Sequence, residues 1–346
     1  TTCQWDADPW LLNTPGGVID LRTGNRRAHQ PADFLTKITA VAPSRGGCSL
    51  FLAFLERITG GDGELKAYLR RVAGYSLTGD TREHALFFAF GTGANGKSVM
   101  LSTVSGVLKD YHRSAPIETF TASNSDRHPT DLAGLRGARL VTAVETEEGR
   151  RWAESRIKTL TGGDVVSARF MRQDFFDYRP QFKLLIAGNH KPGLRSVDEA
   201  IRRRFHLIPF AVTIPPDERD GDLTEKLRAE WPGILQWMIS GCLEWQDIGL
   251  KQPLAVAEAT AQYLEDEDAV SAWIDDRCER DPKAWEQSSS LFASWAAWAD
   301  KAGEHVGTIR RFSQNLESRG FHPQRRMNGR GFSGLRLNQT SHWDQP

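Results

Sequence analysis

No apolar run in this chain approaches the roughly 18–20 residues that a helical membrane span needs; the best, Ala85–Phe90, is strand-sized. Cysteine is scarce. Cys3, Cys48, Cys242 and Cys278 stand far apart with no C-x-x-C pair, which argues against a disulfide framework or a zinc site and fits a reducing cytoplasm. Neither charge sign is in excess: 44 basic side chains balance 44 acidic ones, so a nucleic-acid surface must come from local clustering. Internal repeats, low-complexity tracts, a signal peptide and an initiating Met are all lacking, and the chain reads as a piece cut from something longer. What is there is 346 residues of ordinary globular composition, enough for about two or three domains.

Residues 1–48 are rich in turn formers, as in Asn13-Thr14-Pro15-Gly16-Gly17, with short apolar runs such as Val18–Leu21 between them. A small β-containing or irregular lead-in is expected there. Leu50, Phe51, Phe54, Leu55 and Ile58, then Leu65, Tyr68, Leu69 and Val72, fall at helical spacing and predict a helix pair over 49–78. From 85 the pattern alternates. Strands are expected at Leu86–Phe90, Arg139–Val144, Phe182–Ala187 and Phe205–Phe210, with helices at Ser98–Leu108 and Trp152–Leu160. Such alternation predicts an α/β fold with parallel strands. Residues 223–245 read as helical, and the acidic stretch 258–286 as a solvated helical connector. Two helices, Ser288–Ala302 and Thr308–Arg319, followed by a glycine-punctuated hairpin over Phe321–Leu337, outline a winged helix. Three domains are therefore expected, at 1–82, 83–250 and 251–346.

The strongest chemical signal is Gly91-Thr-Gly93-Ala-Asn95-Gly96-Lys97-Ser98, followed by Val99. It fits G-x-x-x-x-G-K-[ST] between an expected strand and an expected helix, where backbone N–H groups and a helix N-terminus can wrap phosphate oxygens. Lys97 is expected to reach the β- and γ-phosphates of ATP, and Ser98 to hold Mg²⁺. The strand 139–144 runs into Glu145-Thr-Glu147. One carboxylate there can engage the Mg²⁺ shell and the other polarise the attacking water, with Glu145 favoured first and Glu147 second. A third strand ends in Asn189, suited to orienting that water or touching the γ-phosphate. Arg202-Arg203-Arg204 precedes the last strand. It could be a solvated basic run, or supply a finger to a neighbouring subunit's γ-phosphate.

Taken in order, the phosphate loop, strand-E-x-E, Leu160-Thr-Gly-Gly-Asp164, Phe182–Asn189 and Ala200–Phe205 resemble superfamily 3 helicases. The likeness is greatest to the phage and plasmid primase–helicase family, related to the poxviral primase–helicase. Asp8–Asn13 with Gly17–Gly24 is similar to the segment that precedes the ATPase in that family. The resemblance implies an AAA+-like P-loop NTPase core, ATP with Mg²⁺ between subunits of a homo-oligomer, usually a hexamer, and work in the cytoplasm of a bacterial host cell. It carries over Lys97 and Ser98 as phosphate and metal ligands, Glu145 and Glu147 as the acidic pair, and Asn189 as the sensor. Arg203 or Arg204 becomes the trans finger, with Arg204 preferred. A primase half or primase partner is also implied, although no paired-Asp metal site stands ahead of the ATPase. Between Asp164 and Asn189 the family places a pore hairpin, which puts Arg169 and Arg172 on single-stranded DNA.

From Val306 to Arg336 there are seven arginines and one acid. Arg310 and Arg311 open the second helix, and Arg325, Arg326 and Arg330 fall on the expected wing, a pattern suited to duplex phosphates. Trp285, Trp295 and Trp298 are expected in the core rather than against bases. The function expected is an ATP-dependent DNA helicase of a replication protein. The competing readings are an ATP-switched origin-binding or loading protein and a small-molecule phosphotransferase.

Overall fold

In the computed structural model the described residues are 4–122, 130–145, 150–194, 197–304, 306–326 and 329–338; the side chains of Glu145, Arg311 and Ser318 fall outside that description. The chain forms two compact units, residues 1–193 with 198–263, and residues 194–197 with 264–346.

The first unit opens on an antiparallel meander, β1 (Leu11–Thr14), β2 (Gly17–Asp20) and β3 (Asn25–Arg27). The expected helix pair follows as α1 (Ser49–Ile58) and α2 (Gly63–Tyr75). Asp62 caps α2, its carboxylate accepting the Leu65 amide at 3.0 Å. Next come β4 (Leu86–Phe90), α3 (Lys97–Leu108), β5 (His112–Ser114), α4 (Thr130–Ala133), β6 (Leu140–Glu145) and α5 (Glu154–Gly162). A small hairpin of β7 (Val166–Ala168) and β8 (Phe176–Tyr178) precedes β9 (Lys183–Gly188), α6 (Glu199–Arg202) and β10 (Phe205–Pro209). The segment 223–248 divides into α7 (Leu223–Ala229) and α8 (Trp231–Ile248), with Pro232 at the start of α8, where a missing N–H costs nothing. Then comes α9 (Leu254–Asp266).

The central sheet has the order β10-β4-β9-β6-β5, and every pairing is parallel. Its strands read as apolar runs because both faces are covered, as the buried stretch Leu86–Ala89 illustrates.

Residues 1–82 do not stand apart as the small domain expected from the sequence. Leu12 and Leu21 of the lead-in, Phe51 and Tyr68 of the helix pair, Phe87 of the sheet and Trp245 of α8 share one core. Two buried cations reinforce the attachment. Arg139 donates to the carbonyls of Leu77 (2.7 Å) and Leu11 (2.8 Å) while its guanidinium lies over the Tyr111 ring. Lys183 donates to the Thr78 and Asp80 carbonyls and sits over Tyr75.

In the second unit, α10 (Ala269–Arg277) leads through β11 (Cys278–Gln287) to α11 (Ser288–Ala302), α12 (Ile309–Ser318), β12 (His322–Arg326) and β13 (Gly329–Leu337). The sheet order is β11-β13-β12, antiparallel throughout. The stretch 258–286 is thus not a solvated connector: Tyr263, Trp273 and Ile274 are buried, and 278–287 is a strand. The helical reading holds through α9 and α10 and fails only from Cys278 on, because β11 is an edge strand, polar and interrupted by an irregularity between Arg280 and Trp285, so it carries no alternating signature. Trp295 is in this unit's core and Trp298 packs against it, while Trp285 is half-buried beneath Arg326.

Candidate active site

The parallel sheet sends its C-terminal strand ends to one edge, where ligands of open α/β sheets bind. Three neighbouring strands, β4, β9 and β6, deliver the phosphate-loop sequence, Asn189 and Glu145 to that edge. Glu145 pairs with Gly188 in the ladder, so the two strands end level. Glu147 lies outside the described residues.

Lys97 begins α3 and is only 6% exposed. Its ammonium donates to the Gly91 carbonyl at 2.5 Å, to Asn95 Oδ1 at 3.1 Å and to Asn189 Oδ1 at 3.2 Å. Burial holds its pKa below the ordinary lysine value. The loop needs its glycines. A Cβ on Gly91 would sit 2.2 Å from Asn95 Nδ2 and 2.4 Å from the Phe210 carbonyl oxygen. Gly96 has φ of +84°, and its Cβ would meet Ile58 at 2.5 Å. Gly93 also has positive φ, with open space around it. Asn95 is buried and bridges the loop, donating to the Phe210 carbonyl at 3.1 Å while accepting from Lys97. Ser98 is exposed on the first turn of α3, and Val99 packs half-buried against the core.

Around Lys97 the described partners are neutral oxygens only. A buried ammonium on such a set, at the N-terminus of a helix, fits a phosphate anion as its missing counter-charge. No cluster of three or more His, Cys, Asp or Glu residues that could hold a metal ion is present among the described residues, which leave out the Glu145 side chain and residues 146–149.

The arginine triplet requires a correction. Arg204, preferred as the finger, is 6% exposed and faces its own chain. Its Nε donates to Thr161 Oγ1 at 3.2 Å and its Nη1 to the Ala200 carbonyl at 2.7 Å. A guanidinium so engaged is poorly placed to reach another molecule. Arg202 and Arg203 are exposed beside it.

The hairpin expected between Asp164 and Asn189 is present as β7–β8. Its connecting loop carries Arg169, whose guanidinium stacks 4.6 Å over Phe175, and Arg172, which takes up a left-handed φ of 60°. Phe170, Met171 and Phe175 are exposed on the same loop. Aromatic and cationic groups thus share one tip. Sequence reading missed Arg136, which stacks on Phe176, and Arg179, which donates to the Gly163 carbonyl at 2.7 Å; no local motif marks either.

In the second unit, Arg310 is exposed on the first turn of α12, and Arg325, Arg326 and Arg330 are exposed on β12–β13. Arg325 and Arg330 stand directly opposite each other. Like charges in that position repel, so an anion between them would stabilise the hairpin. Two of the seven arginines are already paired inside the unit, Arg319 with Asp268 and Arg336 with Glu279.

Comparison with known proteins adds to this geometry. Residues 1–60 match a family described as D5 N terminal like, and residues 89–204 a family of unknown function, DUF5906. A putative helicase, L207/L206, of Acanthamoeba polyphaga mimivirus is 25% identical over 295 residues, 78% of this chain and 31% of its own length. Putative helicase 022R of Frog virus 3 (isolate Goorha) is 25% identical over 292 residues, 77% of this chain and 29% of its own. The chain therefore spans less than a third of these relatives. Among solved structures, the apo C-terminal region of NrS-1 superposes with TM-scores of 0.53 and 0.54 in two separate structures. The identities are 11% and 10%, over 82% and 86% of this chain and 66% and 78% of the others, a likeness of fold. No helix among the described residues is long and apolar enough to cross a membrane. With its opening residues matched to the D5 N-terminal profile and over three quarters of its length aligned to two viral proteins named as putative helicases, the chain's similarities support a D5-like primase–helicase family.

Proposed function

We propose that this chain is the ATP-hydrolysing motor of a DNA helicase of the superfamily 3, AAA+-like kind, from the replication machinery of a phage or plasmid. The observation that carries the reading is Lys97: a buried ammonium held by three neutral oxygens, with Glu145 and Asn189 at the ends of the next two strands. ATP is the anion that suits this seat. Mg²⁺, when bound by Ser98 and Glu145, would supply charge neutralisation across the phosphates. Lys97 would draw the β- and γ-phosphates onto α3, exchanging part of its contact with Asn189 for phosphate oxygen. Glu145 or Glu147 would hold the attacking water in line, and Asn189 would orient it.

In this reading the subunits form a ring, with six as the expected number, and Arg203 reaches the neighbour's phosphate. The β7–β8 hairpin faces single-stranded DNA with Arg169, Arg172 and the exposed phenylalanines. We read the second unit as a winged helix. Its order of helix, strand, two helices and hairpin supports that, with α12 and the β12–β13 wing meeting duplex phosphates through Arg310, Arg325, Arg326 and Arg330.

The test is ATP turnover and strand separation by the purified chain, with and without single-stranded DNA. DNA-stimulated turnover with unwinding is expected. Turnover that DNA does not raise, with ATP needed only for assembly, would instead make the chain a loading or origin-binding protein. Absence of turnover under all conditions would remove the motor reading.

A further inference from the structure

The stretch Leu160-Thr-Gly-Gly-Asp164 takes no part in the site described above, yet it contacts the arginine triplet directly. Thr161, in the last turn of α5, donates its hydroxyl to the Ile157 carbonyl at 2.7 Å and accepts Arg204 Nε at 3.2 Å. Gly162 lies alongside the guanidinium: a Cβ there would stand 3.6 Å from Arg204 Nη2, at ordinary contact distance. Gly163 ends the helix at a φ of +78°, and its carbonyl accepts Arg179, the residue after β8, at 2.7 Å. Both legs of the β7–β8 hairpin are therefore rooted in this one turn. A second tie runs parallel to the first, Lys158 of α5 to Asp198, which caps α6, at 2.5 Å.

The other side of Arg204 is equally fixed. Its Nη1 holds the Ala200 carbonyl of α6, and its own carbonyl accepts the Leu86 amide at 2.7 Å as β10 enters the sheet beside β4. At the far end of β10, the Phe210 carbonyl accepts Asn95, the loop residue that touches Lys97. One short, fully paired strand thus runs from the arginine triplet to the phosphate loop, and Arg204 fastens its start to the hairpin base.

We propose that Arg204 is a positioning residue, a latch that joins the base of the β7–β8 hairpin to the segment carrying Arg203, so that the hairpin and Arg203 move as one body. The latch rests on the functional reading above, in which the hairpin meets DNA and Arg203 meets a neighbour's ATP. It explains why an exposed and a buried arginine stand side by side: the exposed Arg203 contacts the neighbour, and the buried Arg204 reports that contact to the hairpin. Coupling of this kind is reciprocal, so DNA on the hairpin should alter turnover through the same bond.

The experiment compares ATP turnover alone and at saturating single-stranded DNA for the full chain and three variants. Thr161→Val removes the acceptor hydroxyl at nearly constant shape and touches neither ATP nor DNA. Its basal turnover should stay within about twofold of the parent while DNA stimulation falls roughly tenfold, the scale of one hydrogen bond to a charged group. Thr161→Ser restores the hydroxyl and should restore the stimulation. Should thermal melting show Thr161→Val unfolded, Arg204→Lys carries the test. It keeps the charge and loses the two-sided grip, so stimulation should again fall with basal turnover largely retained. Stimulation that persists in folded Thr161→Val or Arg204→Lys overturns the latch alone. So does equal loss in Thr161→Ser, which would make the site merely structural, and so does loss of basal turnover in folded Arg204→Lys, which would make Arg204 the finger. A parent chain whose turnover ignores DNA removes the functional reading, and the latch with it.

Discussion

Two lysines sit at opposite ends of the same parallel sheet and are buried to nearly the same degree, Lys97 beyond the end of β4 and Lys183 at the start of β9. In both, burial drives the pKa below the usual lysine value, much further for Lys183. The difference lies in what closes around them. Lys183 is enclosed by the backbone carbonyls of Thr78 and Asp80 and the Tyr75 ring, from segments that dock on the sheet, and by the carbonyl of Gln181 just before its own strand. Lys97 shares its oxygens with a loop whose Gly93 faces open space and whose next residue, Ser98, is exposed. A buried cation satisfied by its own chain holds a fold together. One held partly by side-chain oxygens, those of Asn95 and Asn189, beside an open loop is positioned to receive an anion.

The sharpest break of that comparison is Lys97→Ala. Turnover should fall by about 10²–10³ or more, the cost of deleting one preorganised charge-stabilising donor, while the thermal transition stays close to that of the parent. An early-melting Lys97→Ala protein would place the two lysines in the same structural class. The converse is Lys183→Met, which leaves several buried carbonyls without a donor. A loss of about 4 kcal/mol in stability is expected by denaturant titration, with nucleotide affinity of the folded fraction unchanged.

A third buried base carries the comparison to acid pH. His206 is held neutral, its pKa pushed down to about 4 by burial, and its Nδ1 lies 2.6 Å from the Tyr68 hydroxyl. The unfolded chain takes up this proton near pH 6.5 and the folded chain does not until about pH 4. Its contribution is therefore complete above pH 6.5 and is lost as the pH falls toward 4. That loss amounts to about 3 kcal/mol at full expression. Melting temperature followed against pH should decline across this window, and His206→Gln should flatten the decline.

The smallest effect concerns arginines of the second unit. Arg325→Ala should flatten the salt dependence of duplex binding by about one unit in the log–log slope, measured by anisotropy on the full chain. Arg336→Ala, whose guanidinium is already paired with Glu279 at 2.7 Å, should change it less. Equal changes would show that prior pairing does not decide which arginine meets phosphate.

Much of the sheet was legible because its strands are buried on both faces and punctuated by chemistry. Leu86–Phe90, Lys183–Gly188 and Phe205–Pro209 lie where their apolar runs predict, and the phosphate loop announces itself by spacing. The strand β5, three polar-leaning residues long, left no pattern to read, and neither did the edge strand β11. Within the arginine triplet, adjacency to the strand favoured Arg204, but the strand's own geometry turns that residue inward and leaves Arg203 outside.

By itself the sequence determined the local events: which segments become helix or strand, where glycine permits the loop to turn, and which strand ends bear Lys97, Glu145 and Asn189. Those depend on neighbours within a few residues, through apolar periodicity and backbone freedom. Only the tertiary structure decided that residues 1–82 join the sheet's core, that Arg204 is a tie within its own chain, and that Lys183 is closed while Lys97 is open. Each of these turns on whether a buried polar group finds its hydrogen-bond partner, and the partners, such as Thr161 for Arg204 and Leu77 for Arg139, come from segments far away along the chain.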